Sequence, residues 1–104
     1  MRIADVIGRV TLSQCHPSVR GATWLIGVPL TAEALRRVES TTGDKSSIGT
    51  EGRGDPFIIF DEWGASPGAL IAVSEGGEAA APFGPNPKPL DAYNAAILDR
   101  VSID

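Results

Sequence analysis

Few side chains in this sequence have both the type and the spacing that a reaction needs. Cys15 and His16 come first, because a thiol beside an imidazole suggests a nucleophile with its base, or half of a metal site. Neighbours on an extended chain point to opposite sides, and a chain with one cysteine and one histidine has no second member of either type to complete a site. The pair reads as a corner ahead of Pro17. Asp61 and Glu62 are adjacent too, whereas paired-carboxylate catalysis needs two groups facing one substrate, so they read as strand-end charges. The segment Gly49 to Gly54, GTEGRG, has the glycines of a phosphate loop but no following Lys-Ser/Thr and no strand-to-helix setting. Arg53 to Asp55 spells RGD, a tripeptide that arises often by chance, and nothing else in the sequence points to adhesion. Trp24, Phe57, Phe60, Trp63 and Tyr93 could stack nucleobases on a barrel surface, but no basic residues interleave with them, and a core or subunit-interface role is the better reading. No catalytic residue, cofactor site or metal site follows from these candidates.

The elements that carry them are short. With 104 residues, 42% hydrophobic and 21% charged, the chain suits one globular domain spanning residues 1–104. A domain of this size buries only about two-thirds of the surface its unfolded chain exposes, so self-association is a natural source of further stability. Nine Lys+Arg against thirteen Asp+Glu give a net charge of -4 with no basic run, which argues against nucleic acid as a partner. The charge is uneven. Residues 1–37 hold five arginines against Asp5 and Glu33, while residues 38–104 hold four basic against eleven acidic groups, so opposite-signed surfaces could meet between copies. Arg2 and Asp5 interrupt any signal-peptide core, and no stretch approaches the roughly 18 apolar residues that span a bilayer. A soluble, cytoplasmic chain without a membrane partner is expected, and an unpaired Cys15 fits a reducing compartment.

Arg2 to Ser13 alternates as a half-buried strand, with Ala4, Val6, Gly8, Val10 and Leu12 on the inner face and Asp5, Arg9, Thr11 and Ser13 mostly on the other. Ala22 to Val28 is a second strand, stopped by Pro29. Thr31 to Glu39 is the one helical segment, capped by Thr31 with Leu35 and Val38 on one side, and should run one or two turns at most. Ser40 to Asp55 is polar, glycine-rich and aperiodic, the composition of a mobile surface loop. Pro56 to Phe60 is a third strand, apolar at Phe57, Ile58, Ile59 and Phe60, so both its faces need cover. Ala69 to Ser74 is a fourth and Ala95 to Ile103 a fifth. Between those two, Ala81 to Leu90 carries four of the eight prolines and cannot be regular structure. Five short strands with at most one short helix predict an all-β fold, a small OB-like barrel.

Three segments together resemble the pentameric vertex proteins of bacterial microcompartment shells, the carboxysome and ethanolamine-utilisation vertex subunits. Met1 to Leu30 is similar to the family's Lys/Arg-Ile-Ala-x-Val-Ile-Gly-x-Val opening strand, Pro-containing corner and apolar strand ending in Pro-Leu. Asp61 to Ala81, DEWGASPGALIAVSEGGEAAA, resembles its Asp-x-x-Gly-Ala-Gly-x-Gly-Asp corner, apolar strand and Gly-Ser-x-Ala-Arg turn. Pro89 to Asp104 resembles its closing Asp-Ala-x-Ile strand, matched on Asp91-Ala92 or on Asn94 to Ile97. The second match is preferred, with Ile97 leading into the strand. The sequence departs from the pattern at Ser66-Pro67, at Ala69 in place of Asp and at Ala80 in place of Arg, and residues 31–55 are longer than the pattern. The resemblance implies a structural subunit, not an enzyme: a homopentamer that caps shell vertices and docks against hexameric shell proteins. Gly64, Ala65, Ser66, Pro67 and Gly68 are then the candidates for the subunit interface or axial pore, small residues that let five copies converge. The alternatives are an OB-like binding module for nucleic acid or a small ligand, and a small enzyme using His16.

Overall fold

A computed structural model describes residues 1–40 and 52–103. Residues 41–51, which hold most of the expected polar loop and the start of the Gly49 to Gly54 segment, lie outside that description, as do the side chains of residues 38–40, Val38 among them. Five strands, β1 (Arg2–Val10), β2 (Thr23–Pro29), β3 (Phe57–Asp61), β4 (Leu70–Glu75) and β5 (Ala92–Ile97), close into a barrel in the order β1-β2-β3-β5-β4. All neighbours are antiparallel except β3 and β5, whose parallel pairing sets Phe60 opposite Tyr93. The all-β barrel expected from the strand pattern is therefore present, accompanied by the helix α1 (Ala32–Ser40) and by 3-10 segments at Pro17–Val19 and Gly76–Phe83.

Ala4, Val6, Leu25, Ile59, Ile71, Val73 and Ala92 fill the interior, as alternation within each strand requires. The simple alternation read along β1 holds only as far as Val6. Val6 opposes Gly27 but Gly8 opposes Ile26, so Ile7 is an extra, bulged residue, and beyond it the inward phase passes to Arg9, which opposes the fully buried Leu25. Gly8, Val10 and Leu12, expected inside, lie on the outer side; Val10 opposes Trp24, and Leu12 is 45% exposed beyond the strand's end.

Two outer layers cover the sheet. Leu30, Ala34 and Leu35 pack with Ile3, Leu70, Val101 and Ile103, so the last two residues brace α1 rather than extend the final strand to Ile103. That strand starts earlier than expected, at Ala92, and Ile97 ends it instead of leading into it. Asn94, outside the expected strand, lies within β5 with its side chain wholly buried and hydrogen-bonded. Thr31 caps α1 as expected, its Oγ1 accepting from Ala34 N at 3.1 Å, and the helix runs nine residues, longer than the two turns anticipated. Part of the supposed loop is also fixed. Gly52 O accepts from Thr31 N at 3.1 Å, Gly54 N donates to Pro29 O at 2.9 Å, and Arg53 bridges to Leu30. The Arg53 guanidinium meets the buried Asp5 carboxylate at 2.7 Å, which is how a charged residue on the outer face of β1 comes to be 5% exposed.

Removing one member of an ion pair sunk this far takes a charge-assisted partner away from the buried carboxylate. Arg53→Ala should therefore cost about 2 kcal/mol in a urea unfolding titration, below the roughly 3–5 kcal/mol of fully buried pairs because Arg53 keeps some solvent contact. An unchanged midpoint would mean that the segment is only loosely laid on β1.

Candidate functional site

The third and fourth strands are consecutive in the chain but not paired, because β5 lies between them. Their connection, Glu62 to Ala69, is therefore not a hairpin turn; it crosses the end of the barrel over β5. One side chain organises the crossing. Asp61, 3% exposed, accepts from Trp63 N, Gly64 N and Ala65 N, each at 3.0 Å, and from Asn94 Nδ2 at 2.8 Å. A carboxylate followed three residues later by a glycine at positive φ, here Gly64 at 79°, is the local chemistry of an Asx-type turn. Asp61 does end β3, as its reading as a strand-end charge expected, but it is buried and fully engaged there, a role for which the Asp-x-x-Gly spacing is the local signal.

The rest of the crossing is tied down on both sides. Trp63 Nε1 donates to Asn94 O at 2.7 Å while its ring stays 57% exposed, and Arg9, brought round by the bulge, donates to Ala65 O at 3.1 Å. Ala69 N donates to Ser66 O at 3.0 Å around Pro67 and Gly68, the latter at φ 97°. Proline then glycine at positive φ is the arrangement of a type II turn, so the Ser66-Pro67 departure preserves a tight corner by its own means. Val6 closes the far side, donating to Ala69 O at 2.9 Å and accepting from Gly68 N at 2.8 Å. Gly64, Ser66, Pro67 and Gly68 are exposed, whereas the Ala65 methyl packs into the barrel core.

The other candidates fall elsewhere. His16 caps the Pro17–Val19 turn, its Nδ1 accepting from Ser18 N at 3.1 Å, and the half-buried Cys15 packs against Val19 and its neighbours. Among the described residues no group of three or more His, Cys, Asp or Glu is placed to hold a metal ion, and no helix is long and apolar enough to cross a membrane. Trp24, Phe60 and Tyr93 interlock with Phe83, a residue not singled out from the sequence, at centroid separations of 5.3 to 6.2 Å. Phe83 comes from the 3-10 segment Gly76–Phe83, so the proline-rich stretch from Ala81 begins as regular structure after all. With Phe60 4% and Tyr93 7% exposed, these rings pack on one another and offer no stacking platform. Trp63 stands apart at the crossing, and Phe57 lies under the Arg2 guanidinium, 4.9 Å from its centroid.

The family model described as "Ethanolamine utilisation protein EutN/carboxysome" matches residues 1–99. The chain belongs to this EutN/CcmL family. Solved structures similar to this EutN/CcmL chain include CcmL of Gloeobacter violaceus, with 25% identity, 100% of this chain and 91% of that one covered, and a TM-score of 0.76. The GrpN pentameric microcompartment shell protein of Rhodospirillum rubrum shares the fold at 23% identity, covering 100% and 99% of the two chains with a TM-score of 0.73. EutN of Escherichia coli does so at 18% identity, covering 99% and 89%, again with a TM-score of 0.73. No curated protein sequence matches the chain.

Two measurements probe the crossing. Asp61→Ala leaves three backbone N–H groups and the Asn94 amide without their acceptor, and at about 1–3 kcal/mol for each buried group left unpaired the variant should lose at least about 3 kcal/mol by urea unfolding. A loss below about 1 kcal/mol would mean that water replaces the carboxylate without difficulty. Tyr93 gives a pH signature. Burial, and then the hydrogen bond its hydroxyl donates to Glu62 at 2.9 Å, push the phenol up to about 12 from 10.0. A raised acid in the folded state means stability that is complete below pH 10 and lost as pH rises toward about 12, since the unfolded chain ionises first. Tyr93 is the one tyrosine, so tyrosinate absorbance reports it alone, and its midpoint should lie near 12 in the folded protein and near 10 in urea. A folded midpoint near 10 would contradict the packing described.

Proposed function

We propose that residues 1–104 form one structural subunit that assembles as a homopentamer and caps the vertices of a bacterial microcompartment shell, without catalytic activity of its own. The observation that carries this reading is the family match over residues 1–99, joined by likeness in fold to a solved pentameric shell protein across 100% of this chain. In this reading the subunit lies in the cytoplasm, its ring seated among hexameric shell proteins. A five-fold ring supplies the curvature that flat six-fold tiles lack, so the task is geometric, and a rigid corner serves it better than a reactive group.

The exposed part of the crossing, Gly64, Ser66, Pro67 and Gly68, is the candidate for the five-fold axis, and Ala65 holds it from beneath. Small residues and two positive-φ glycines permit five backbones to approach one line. Among the described residues nothing beyond its chain neighbours lies within 4 Å of a Cβ added at Gly68, so a side chain there meets chiefly backbone strain until a neighbour arrives.

Native mass spectrometry at micromolar concentration should show a closed pentamer, and a stable monomer overturns the reading. Position is tested by Gly68→Val against Gly76→Val, since the two glycines flank β4 at opposite ends with φ of 97° and 67° and equally open surroundings. Both changes should cost about 1–2 kcal/mol of chain stability, but only Gly68→Val should shift the pentamer to smaller species. Ala69→Asp, which restores the residue of the family pattern, should assemble normally. If Gly68→Val closes the ring as well as the unmodified chain, the corner faces outward.

A further inference from the structure

Among the described residues, the outer surface of β1, β2 and β3 is covered at two places and bare between them. At one end the Asp5–Val28 pair lies beneath Arg53, and at the other the Trp24–Phe60 pair packs into the cluster that holds Phe83. The row between consists of Gly8 opposite Ile26, and Ile26 opposite Ile58. A Cβ at Gly8 would stand 3.5 Å from Ile26 Cδ1, so the Ile26 side chain lies across the glycine. The bulge adds Ile7 to the same outer surface. Ile7 is 48% exposed and Ile58 45% exposed, and no polar side chain interrupts this row.

The row starts at the corner. Val6, the residue before Ile7, exchanges the hydrogen bonds with Gly68 and Ala69 that fix the end of the crossing. A subunit in a cyclic ring meets its neighbour along a surface that begins at the axis and runs outward. A closed barrel offers no free strand edge for a neighbour to extend, so association must proceed through side chains on a face, where apolar groups supply the attraction. We infer that the Ile7–Ile26–Ile58 row is one flank of the subunit contact, and that its occupant is a second copy of this chain presenting a different surface, as head-to-tail ring contacts require. The inference rests on the pentameric reading and on the corner lying toward the axis.

The test compares the unmodified chain with Ile58→Glu, Ile7→Glu and the milder Ile58→Thr, following assembly on dilution by native mass spectrometry and folding by circular dichroism. The glutamate variants should keep the barrel, because both side chains already face solvent, while the concentration at which the pentamer dissociates rises roughly tenfold or more for each. Ile58→Thr, which keeps the branched Cβ, should give a smaller rise in the same direction. Pentamers as stable as the unmodified ones in both glutamate variants overturn the assignment and leave the pentameric reading standing. Loss of fold in all three variants overturns it too, by showing that the row supports the barrel. An unmodified chain that is monomeric, or a dimer split by the same substitutions, removes the ring and this contact together.

Discussion

A single buried carboxylate joins three parts of this molecule that backbone pairing alone joins poorly. The barrel closes at its one parallel seam, where β3 meets β5 with Phe60 opposite Tyr93, and one residue further along Asp61 takes the Asn94 amide. Trp63 adds a bond to Asn94 O, and Tyr93 adds one to Glu62. Side chains thus stitch the seam that the backbone leaves short. The same carboxylate fixes the crossing over the barrel end, so closure of the sheet and shape of the exposed corner are one event. Charge-assisted bonds to a carboxylate inside a low-dielectric interior are stronger than their counterparts in water, and each donor left unpaired there is costly, which makes the arrangement nearly all-or-none.

How much of this could be read from the residues follows from how local each signal is. Thr31, three residues ahead of Ala34, announces its cap by type and spacing, and Gly64 and Gly68 announce positive φ because few other residues tolerate it. The apolar run Phe57 to Phe60 predicts cover on two faces; Phe60 finds it within the chain, whereas Ile58 stays 45% exposed. The failures involve partners distant in sequence. The bulge at Ile7 depends on what β2 places opposite, and nothing near Asn94 says that its amide will meet Asp61 across the barrel. The Gly76–Phe83 segment hides for a similar reason, since Phe83 makes sense only against Phe60 and Tyr93. Of the five corner residues singled out, four are exposed and Ala65 turns inward, because Asp61 pins its amide and Arg9 its carbonyl.

One backbone shape can be reached by more than one sequence. Ser66-Pro67-Gly68 makes its bend with proline and glycine in place of successive glycines, and Pro67 restricts the unfolded chain more than glycine does. On the outer face the Asp5–Arg53 pair anchors Gly52 to Gly54 against the barrel.

The placement of β5 between β3 and β4 also bears on how the subunit is made. During synthesis, β1 to β4 can leave the ribosome and pair in part, but two strand edges stay open and Asp61 lacks the Asn94 amide until β5 has emerged. A chain still being made therefore has neither a closed wall nor a finished corner. The fold's own wiring thus withholds the finished corner from any chain that is not yet complete.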